Sequence, residues 1–334
     1  MQYSLFSSSR PAGVLLFLLA THAAAVITPN MFWTDRGATT TQVVPLIQRA
    51  NIDGTATETI VSEGLFAPSA IAIDVNARKM YWTDLTASAI WRANLDGSDV
   101  EDVLITAVGE RVGLALDTGG DRMYWTDRAR RSIQSANLDG GDVQDLVTTG
   151  VLNPSGIALD TNAGEMYWTD LTASAIYRAN LDGSGVQVVL ASAVGERVGL
   201  ALDVADSRMY WTDRARHNIQ RADLDGTNVQ DLVEGLNDPS GIALDLASGK
   251  MYWTDVAAGT ISRADLDGGH VENLITMGLG APIGIALVPE PGIAVLFGLV
   301  ACCLLGHERR RDNAHGRPAH APPTHPAAAT GLGV

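Results

Sequence analysis

The amino-acid sequence predicts an all-β fold in which six similar blades form a closed β-propeller. Three observations lead to this prediction. The pentapeptide Met-Tyr-Trp-Thr-Asp occurs five times, and a sixth copy has Phe in place of Tyr. The six Trp residues of these copies are spaced by about 43 residues, the length of one repeated supersecondary unit. Four short strand-like segments, with an Asp-Gly turn between the third and fourth, surround each copy, as in a four-stranded blade.

The first two strands of each blade are predicted from their small and apolar residues. Runs of Gly, Ala, Ile and Leu precede the pentapeptide, as at residues 113–117 and 156–160, and small residues suit the innermost strand, where blades converge. The pentapeptide predicts the second strand, whose consecutive apolar residues fit burial between two neighbouring blades. We therefore expect a structural role for six tryptophans: Trp33, Trp82, Trp125, Trp168, Trp211 and Trp253.

The outer two strands are predicted from alternation and polarity. An alternating segment that ends in Asp-Gly, such as residues 89–97, predicts the third strand and the tight turn that follows it. β-Branched residues at 143–148 and 229–233 predict the fourth strand. This strand admits charged residues such as Glu101 and Asp102, as an outer edge should.

The order of the repeats predicts how the ring closes. The chain reaches a second strand at residue 31 before any first strand, and the last repeat ends with a first strand at residues 284–288. The final strand must therefore complete the first blade. Such closure removes the open edges that an unclosed array of blades would expose.

The repeat also resembles a known family. The Tyr-Trp-Thr-Asp tetrapeptide, the preceding Gly-Ile-Ala-Leu-Asp and the following Arg-Ala-Asn-Leu-Asp-Gly resemble the class B, or YWTD, repeats of the low-density lipoprotein receptor family over residues 27–288. The resemblance implies a six-bladed propeller with a flat face that binds other proteins. It also implies a structural role for the Trp residues and for Asp84, Asp127, Asp170, Asp213 and Asp255.

That resemblance has one departure. In the receptors a Cys-rich growth-factor-like module follows the propeller, whereas residues 289–334 contain only Cys302 and Cys303. The predicted ring therefore has no disulfide and no Cys-based metal site, and we expect burial and ring closure to stabilise it. We predict no metal and no cofactor. The formal net charge of −15 argues against a nucleic-acid partner, because phosphate binding needs a basic surface.

The two ends of the chain have separate predicted roles. Residues 1–25 read as a secretory signal peptide, with Arg10, an apolar run at residues 14–20 and three alanines before a cleavage site near Ala25. Residues 289–311 resemble the bacterial PEP-CTERM sorting signal, in which a Pro-Glu-Pro motif precedes an apolar run and an Arg cluster. The residues that carry this resemblance are Pro289, Glu290, Pro291, Arg309, Arg310 and Arg311.

The sorting resemblance implies a location and a processing partner. An exosortase-type enzyme would process the segment, with the protein anchored in the inner membrane before processing and in the cell envelope or extracellular matrix afterwards. The apolar run at residues 292–306 is shorter than the about 20 residues of an untilted span. A retained membrane anchor is the alternative. We interpret residues 312–334 as a disordered tail.

Strand direction divides the connections between two faces. The connections from the second to the third strand lie on the same face as those from the fourth strand to the first strand of the next blade. We call this face the loop face. The remaining connections, which include the Asp-Gly turns, share the turn face. Arg is favoured at protein interfaces, so the loop-face cations are candidates to bind an extracellular or envelope protein or a glycan; solvated loop charges are the alternative. The candidates are Arg111, Arg128, Arg130, Arg131, Arg197, Arg214, Arg216 and His217.

Alternate blades are more alike than adjacent ones. Residues 80–117 closely match residues 166–203, and residues 123–160 match residues 209–245. The two-blade period predicts alternating chemistry around the ring.

A binding module is the favoured function. The predicted ring contains no Ser-His-Asp order, no Cys-His pair and no Gly-rich phosphate loop, and its only histidines are His217 and His270. The alternative is an enzyme of lactonase or hydrolase type with a metal at the mouth of the central channel. Its candidate ligands are Glu110, Asn153, Glu196, Asn237 and Asp238.

Overall fold

The computed structural model of the protein describes residues 30–37 and 44–288. These residues form 24 strands and no helix, arranged as six four-stranded antiparallel sheets. The prediction of an all-β, six-bladed propeller is confirmed. The predicted signal peptide (1–25), sorting segment (289–311) and tail (312–334) lie outside the described residues. Within the described ranges, no helix has the length and hydropathy of a membrane span.

Each sheet is one blade, numbered from the N-terminus. From the innermost strand outward, blade 1 contains β24 (Pro282–Val288), β1 (Asn30–Asp35), β2 (Leu46–Asn51) and β3 (Glu58–Val61), and blade 2 contains β4 (Pro68–Asp74), β5 (Lys79–Asp84), β6 (Ala89–Asn94) and β7 (Glu101–Ile105). In the same order, blade 3 contains β8 (Arg111–Asp117), β9 (Arg122–Asp127), β10 (Ser132–Asn137) and β11 (Gln144–Val147), and blade 4 contains β12 (Pro154–Asp160), β13 (Glu165–Asp170), β14 (Ala175–Asn180) and β15 (Gln187–Ala191). Blade 5 contains β16 (Arg197–Asp203), β17 (Arg208–Asp213), β18 (Asn218–Asp223) and β19 (Gln230–Glu234), and blade 6 contains β20 (Pro239–Asp245), β21 (Lys250–Asp255), β22 (Thr260–Asp265) and β23 (Glu272–Ile275).

The hydrophobic core lies between blades. The five pentapeptide residues of each second strand are all buried, because both faces of the strand are covered by neighbouring blades. One core cluster, for example, joins Tyr81 and Ile90 of blade 2 to Leu114, Met123 and Trp125 of blade 3. The six tryptophans are fully buried, as a structural role requires.

Closure of the ring follows the predicted pairing. Strand β24 pairs with β1 in antiparallel register, with Met31 opposite Leu287 and Trp33 opposite Ile285. Blade 1 therefore combines the last strand of the ring with its first three. The two ends of the propeller are joined in one sheet.

The innermost strands approach each other closely enough to require glycine. A Cβ atom at Gly113 would lie 2.2 Å from the carbonyl oxygen of Ser155 in the next blade, and one at Gly284 would lie 2.3 Å from that of Ser69. Real Cβ atoms do not make such contacts. This close approach is the physical reason for the small residues that the sequence places in the first strands.

The Thr of the pentapeptide joins adjacent blades, a role that the sequence analysis did not assign. In blade 3, Thr126 Oγ1 accepts a hydrogen bond from the backbone N–H of Gly113 at 2.8 Å and donates to the carbonyl oxygen of Ser155 in blade 4 at 2.6 Å. Equivalent pairs of bonds occur in the other blades, at Thr34, Thr83, Thr169, Thr212 and Thr254. The hydroxyl thus satisfies one donor and one acceptor at the crowded centre of the ring.

Candidate binding face and channel mouth

The loops of the candidate binding face are held in place by the Asp of the pentapeptide. Asp84 accepts hydrogen bonds from the backbone N–H of Phe66 at 2.8 Å and of Ala87 at 3.0 Å. Asp255 does the same with Asn237 and Ala258. Each buried carboxylate therefore ties the loop that enters a blade to the loop between its second and third strands. A carboxylate with several N–H donors is a structural anchor rather than a free ligand.

Four of the candidate cations remain exposed on the loop face. Arg130 lies 3.9 Å from Asp127 and donates to the carbonyl oxygen of Val108; Arg216 has the equivalent contacts with Asp213 and Val194. Arg131 and His217 are also exposed. These side chains are available to a partner, although part of the charge of Arg130 and Arg216 is compensated by their Asp neighbours.

Two other candidates, Arg111 and Arg197, are buried, which corrects their assignment to the exposed surface. Their exposed fractions are 1% and 2%. The Arg111 guanidinium lies 5.8 Å from the ring centre of Trp125 and donates to the Ser88 carbonyl oxygen of blade 2, and burial lowers its pKa to about 10. Both arginines begin an innermost strand instead of extending from a loop. They join neighbouring blades and are too buried to form part of an exposed binding surface.

The remaining two, Arg128 and Arg214, lie at the mouth of the central channel together with Arg36. Arg128 donates from Nε to the Pro154 carbonyl oxygen at 3.3 Å and from Nη2 to Ser155 Oγ at 3.4 Å. Arg36 makes the same contacts with Pro68 and Ser69, at 3.1 and 3.2 Å. Arg214 forms an ion pair with Asp238. Each of the three arginines therefore reaches the start of the next blade's innermost strand.

We call Arg36, Arg128 and Arg214 the arginine triad. They occupy one position, directly after the pentapeptide Asp, in blades 1, 3 and 5; the other blades have Leu85, Leu171 and Val256 there. Arg36 was missed in the sequence analysis. The signal that identifies it is the tripeptide Thr-Asp-Arg, which occurs at residues 34–36 as well as at 126–128 and 212–214.

The channel itself shows the same alternation. Its wall beside the triad carries three serines that alternate with three branched apolar residues: Ser69, Val112, Ser155, Val198, Ser240 and Ile283. The cavity at this level has a volume of about 70 Å³. That is room for a few water molecules, well below the roughly 300–1,000 Å³ of a typical small-molecule pocket.

The positive charges of the arginine triad repel one another at the channel mouth. Burial, and then repulsion from Arg128 and Arg214, lower the pKa of Arg36 to about 10, against a weaker attraction from Asp84. The pKa of Arg128 is also lowered, by burial and by Arg214, while Glu110 and Asp170 act in the opposite direction. The three cations are therefore close enough to destabilise one another.

The candidate metal ligands of the alternative function do not form a cluster. Glu110 and Glu196 are exposed, the backbone carbonyl oxygen of Asn153 accepts from Leu171 N–H, and that of Asn237 accepts from His217. Asp238 pairs with Arg214. Among residues 30–37 and 44–288, no group of three or more His, Cys, Asp or Glu side chains could hold a metal ion.

Exposed apolar residues form a ring of loops around the channel mouth, which we call the exposed apolar ring. The loops that enter the blades carry Phe66, Val108, Leu152, Val194 and Met277. Phe66 is 63% exposed and Met277 is 85% exposed. These residues could not be identified from the sequence, because a single apolar residue in a loop has no periodic pattern.

The turn face has a different character. Hydrogen bonds from the hydroxyl and backbone N–H of Ser98 and Thr227 lower the pKa of Asp96 and Asp225, respectively, below the usual range. These bonds, such as Thr227 Oγ1 to Asp225 at 2.6 Å, are local to each Asp-Gly turn. The turn face thus presents ionised carboxylates with exposed valines such as Val143 and Val271, whereas the loop face presents arginines with larger apolar side chains such as Phe66 and Met277.

Comparison with known proteins supports the identification of the repeats. Residues 121–161, 207–246 and 249–287 match the sequence model described as Low-density lipoprotein receptor repeat class B. A 60-residue segment, 18% of this chain, is 37% identical to the vitellogenin receptor Yl of Drosophila melanogaster, and the match covers only 3% of that receptor's length.

Comparison with solved structures supports the fold. A chain in the crystal structure of a nidogen/laminin complex is similar, with a TM-score of 0.71 and 24% sequence identity over 78% of this chain and 98% of that chain. At that level of identity the similarity establishes the architecture alone.

Proposed function

Because the chain carries class B repeats in a six-bladed propeller, we propose that it is an exported binding module whose loop face binds an extracellular or envelope protein. The observation that carries this proposal is the composition of the loop face, in which exposed apolar side chains that include Phe66 and Met277 lie around an arginine-rich centre. Arg, Met and aromatic residues are enriched at protein interfaces. A protein is favoured over a glycan because four of the five exposed ring residues are aliphatic side chains or Met.

The similar proteins support the same class of function. One is a receptor, and the other is part of a complex between two proteins. A catalytic propeller with a metal at the channel mouth is disfavoured on electrostatic grounds. Three arginines at that mouth would repel a divalent cation, and Asp238 is already paired with Arg214.

The choice of face can be tested with matched pairs of substitutions. Phe66→Glu with Met277→Glu changes two loops that flank blade 1, whereas Val143→Glu with Val271→Glu adds the same charge on the turn face, where these valines are 48% and 52% exposed. We expect the loop-face pair to reduce capture of envelope proteins by the immobilised full chain about tenfold or more, because charge in an apolar contact is strongly unfavourable. Quantitative mass spectrometry of the captured proteins gives the measurement.

The control pair should capture the same proteins at nearly the parent level, and both pairs should unfold at nearly the parent temperature. Equal capture by parent and loop-face pair, or a larger loss with the turn-face pair, would contradict the proposal.

We also propose a route of export and sorting from the sequence at the two ends. Residues 1–25 would direct export. The Pro289-Glu290-Pro291 motif, the apolar run and the Arg cluster would direct processing by an exosortase-type enzyme, which leaves the propeller in the cell envelope or matrix. We expect mass spectrometry of the mature protein to find an N-terminus near Val26 and no peptide beyond about Gly292. Recovery of residues 312–334 in the mature protein would show instead that the segment is a retained anchor or an unprocessed terminus.

A further inference from the structure

The arginine triad has an approximate threefold arrangement that its structural contacts do not explain. Its members come from alternate blades, and the serines that accept from Arg36 and Arg128 line the same cavity. The three arginines therefore hold equivalent positions around the channel mouth, and their charges are close enough to repel one another. Structural contacts alone require no such symmetry, because Leu and Val occupy the same position in the other three blades.

Carboxylates compensate the positive charge of Arg36 and Arg128 only from a distance, through Asp84 for Arg36 and through Glu110 and Asp170 for Arg128. Within the described part of the chain, Arg36 and Arg128 donate only to neutral oxygens, those of Pro68, Ser69, Pro154 and Ser155. Each guanidinium has five N–H donors, and these contacts use two of them. Only Arg214 has a direct carboxylate partner, Asp238. Donors and positive charge thus remain available at the channel mouth.

We propose that the loop-face mouth of the central channel binds one tetrahedral oxyanion, a phosphate or sulfate group. Three oxygens of such an anion match three guanidinium groups arranged around an axis, and Arg is the side chain best suited to planar, multidentate recognition of these oxygens. The anion would offset the mutual repulsion of the triad. The proposal does not depend on whether the surrounding face binds a protein.

The geometry favours this ligand over larger or differently charged ones. The part of the channel next to the triad has a volume of about 70 Å³, well below that of a typical small-molecule pocket. The Ser69 and Ser155 hydroxyls hold the Nη2 atoms of Arg36 and Arg128 in place, which reduces the entropy lost when an anion binds. The group is either a free inorganic ion or the terminal phosphate or sulfate of a larger molecule.

The first test measures binding to the full chain by calorimetry. Sodium phosphate and sodium sulfate are titrated against sodium chloride at the same ionic strength, since screening alone would affect all three alike. We expect saturable binding of one phosphate or sulfate per chain. Arg36→Gln, Arg128→Gln and Arg214→Gln should each weaken binding about tenfold or more, because each removes a charge-assisted hydrogen bond.

The control variants, Arg178→Gln and Arg208→Gln, remove the same charge away from the channel mouth, at partly exposed side chains that pair with Glu165 and Asp206. They should bind within about twofold of the parent. Phenyl phosphate distinguishes the source: binding of both ligands indicates that an ester can present the group, and binding of inorganic phosphate alone indicates a free ion. Non-saturable binding, or an equal loss in the control variants, would overturn the proposal.

A second measurement uses the unmodified protein, in case the triad variants fail to fold. Phenylglyoxal modifies accessible arginines, and peptide mapping locates the products. Sulfate should slow modification of Arg36, Arg128 and Arg214 while leaving Arg208 unchanged. Equal rates at the triad with sulfate and with chloride would overturn the proposal independently of any variant.

Discussion

Deletion of residues 282–288 is expected to abolish the cooperative unfolding of the propeller. These residues form β24, which completes blade 1 by pairing with β1. Without them, Thr34 loses its bond with the Gly284 N–H, Thr254 loses the Ile283 carbonyl oxygen, and Ile285 leaves the core cluster between blades 6 and 1. The deletion also exposes an unpaired edge of β1, which favours aggregation.

Circular dichroism during heating, together with size-exclusion chromatography, gives the measurement. The matched control is truncation after Val288, which removes residues 289–334 and keeps every described strand. We expect the control to unfold as one transition near the parent temperature. A soluble deletion variant with a parent-like transition would show that β24 is not needed to close the ring.

Replacement of Trp125 by Ala is expected to destabilise the protein by about 3–5 kcal/mol, the usual cost of truncating a large buried aromatic side chain. Trp125 is fully buried in the cluster between blades 2 and 3. Its Nε1–H donates to Gln134 Oε1 at 2.9 Å, and the Arg111 guanidinium lies over its ring. The substitution therefore leaves a cavity and removes partners from two buried polar side chains.

Urea denaturation compares the free energies of unfolding of the variant and the parent. Phe66→Ala is the control, because it truncates an exposed aromatic residue and should change stability by less than about 0.5 kcal/mol. Equal midpoints for Trp125→Ala and the parent would be incompatible with the packing described for the blades.

The fold was predictable because its determinants are local and repeated. The pentapeptide specifies a strand buried on both faces in every blade. Closure is specified by order, because the repeats begin with a second strand at residue 31 and end with a first strand at residues 284–288. The role of the pentapeptide Thr was not predictable from sequence. The Thr126 hydroxyl, for example, bonds to Gly113, 13 residues earlier in the chain, and to Ser155, 29 residues later. Only the packed ring brings these groups together.

The candidate site was predictable only in part, for a different reason. Arg111 and Arg130 are both loop-associated arginines in the sequence, yet one begins a buried strand and the other extends from a turn. Long side chains can be directed inward or outward from such positions, and sequence position alone does not decide between them. The two-blade period of the sequence does predict that alternate blades share their chemistry. The triad shows this, because its three arginines come from blades 1, 3 and 5.

Site-specific photo-crosslinking in the producing cell tests most directly whether the loop face is the binding surface. Phe66 lies in the loop that connects blade 1 to blade 2. A benzophenone side chain placed there should form crosslinks to a partner protein. The same group at Val143, on the turn face and also well exposed, should form none. Crosslinks from Val143 in the absence of crosslinks from Phe66 would contradict the assignment of the binding surface to the loop face.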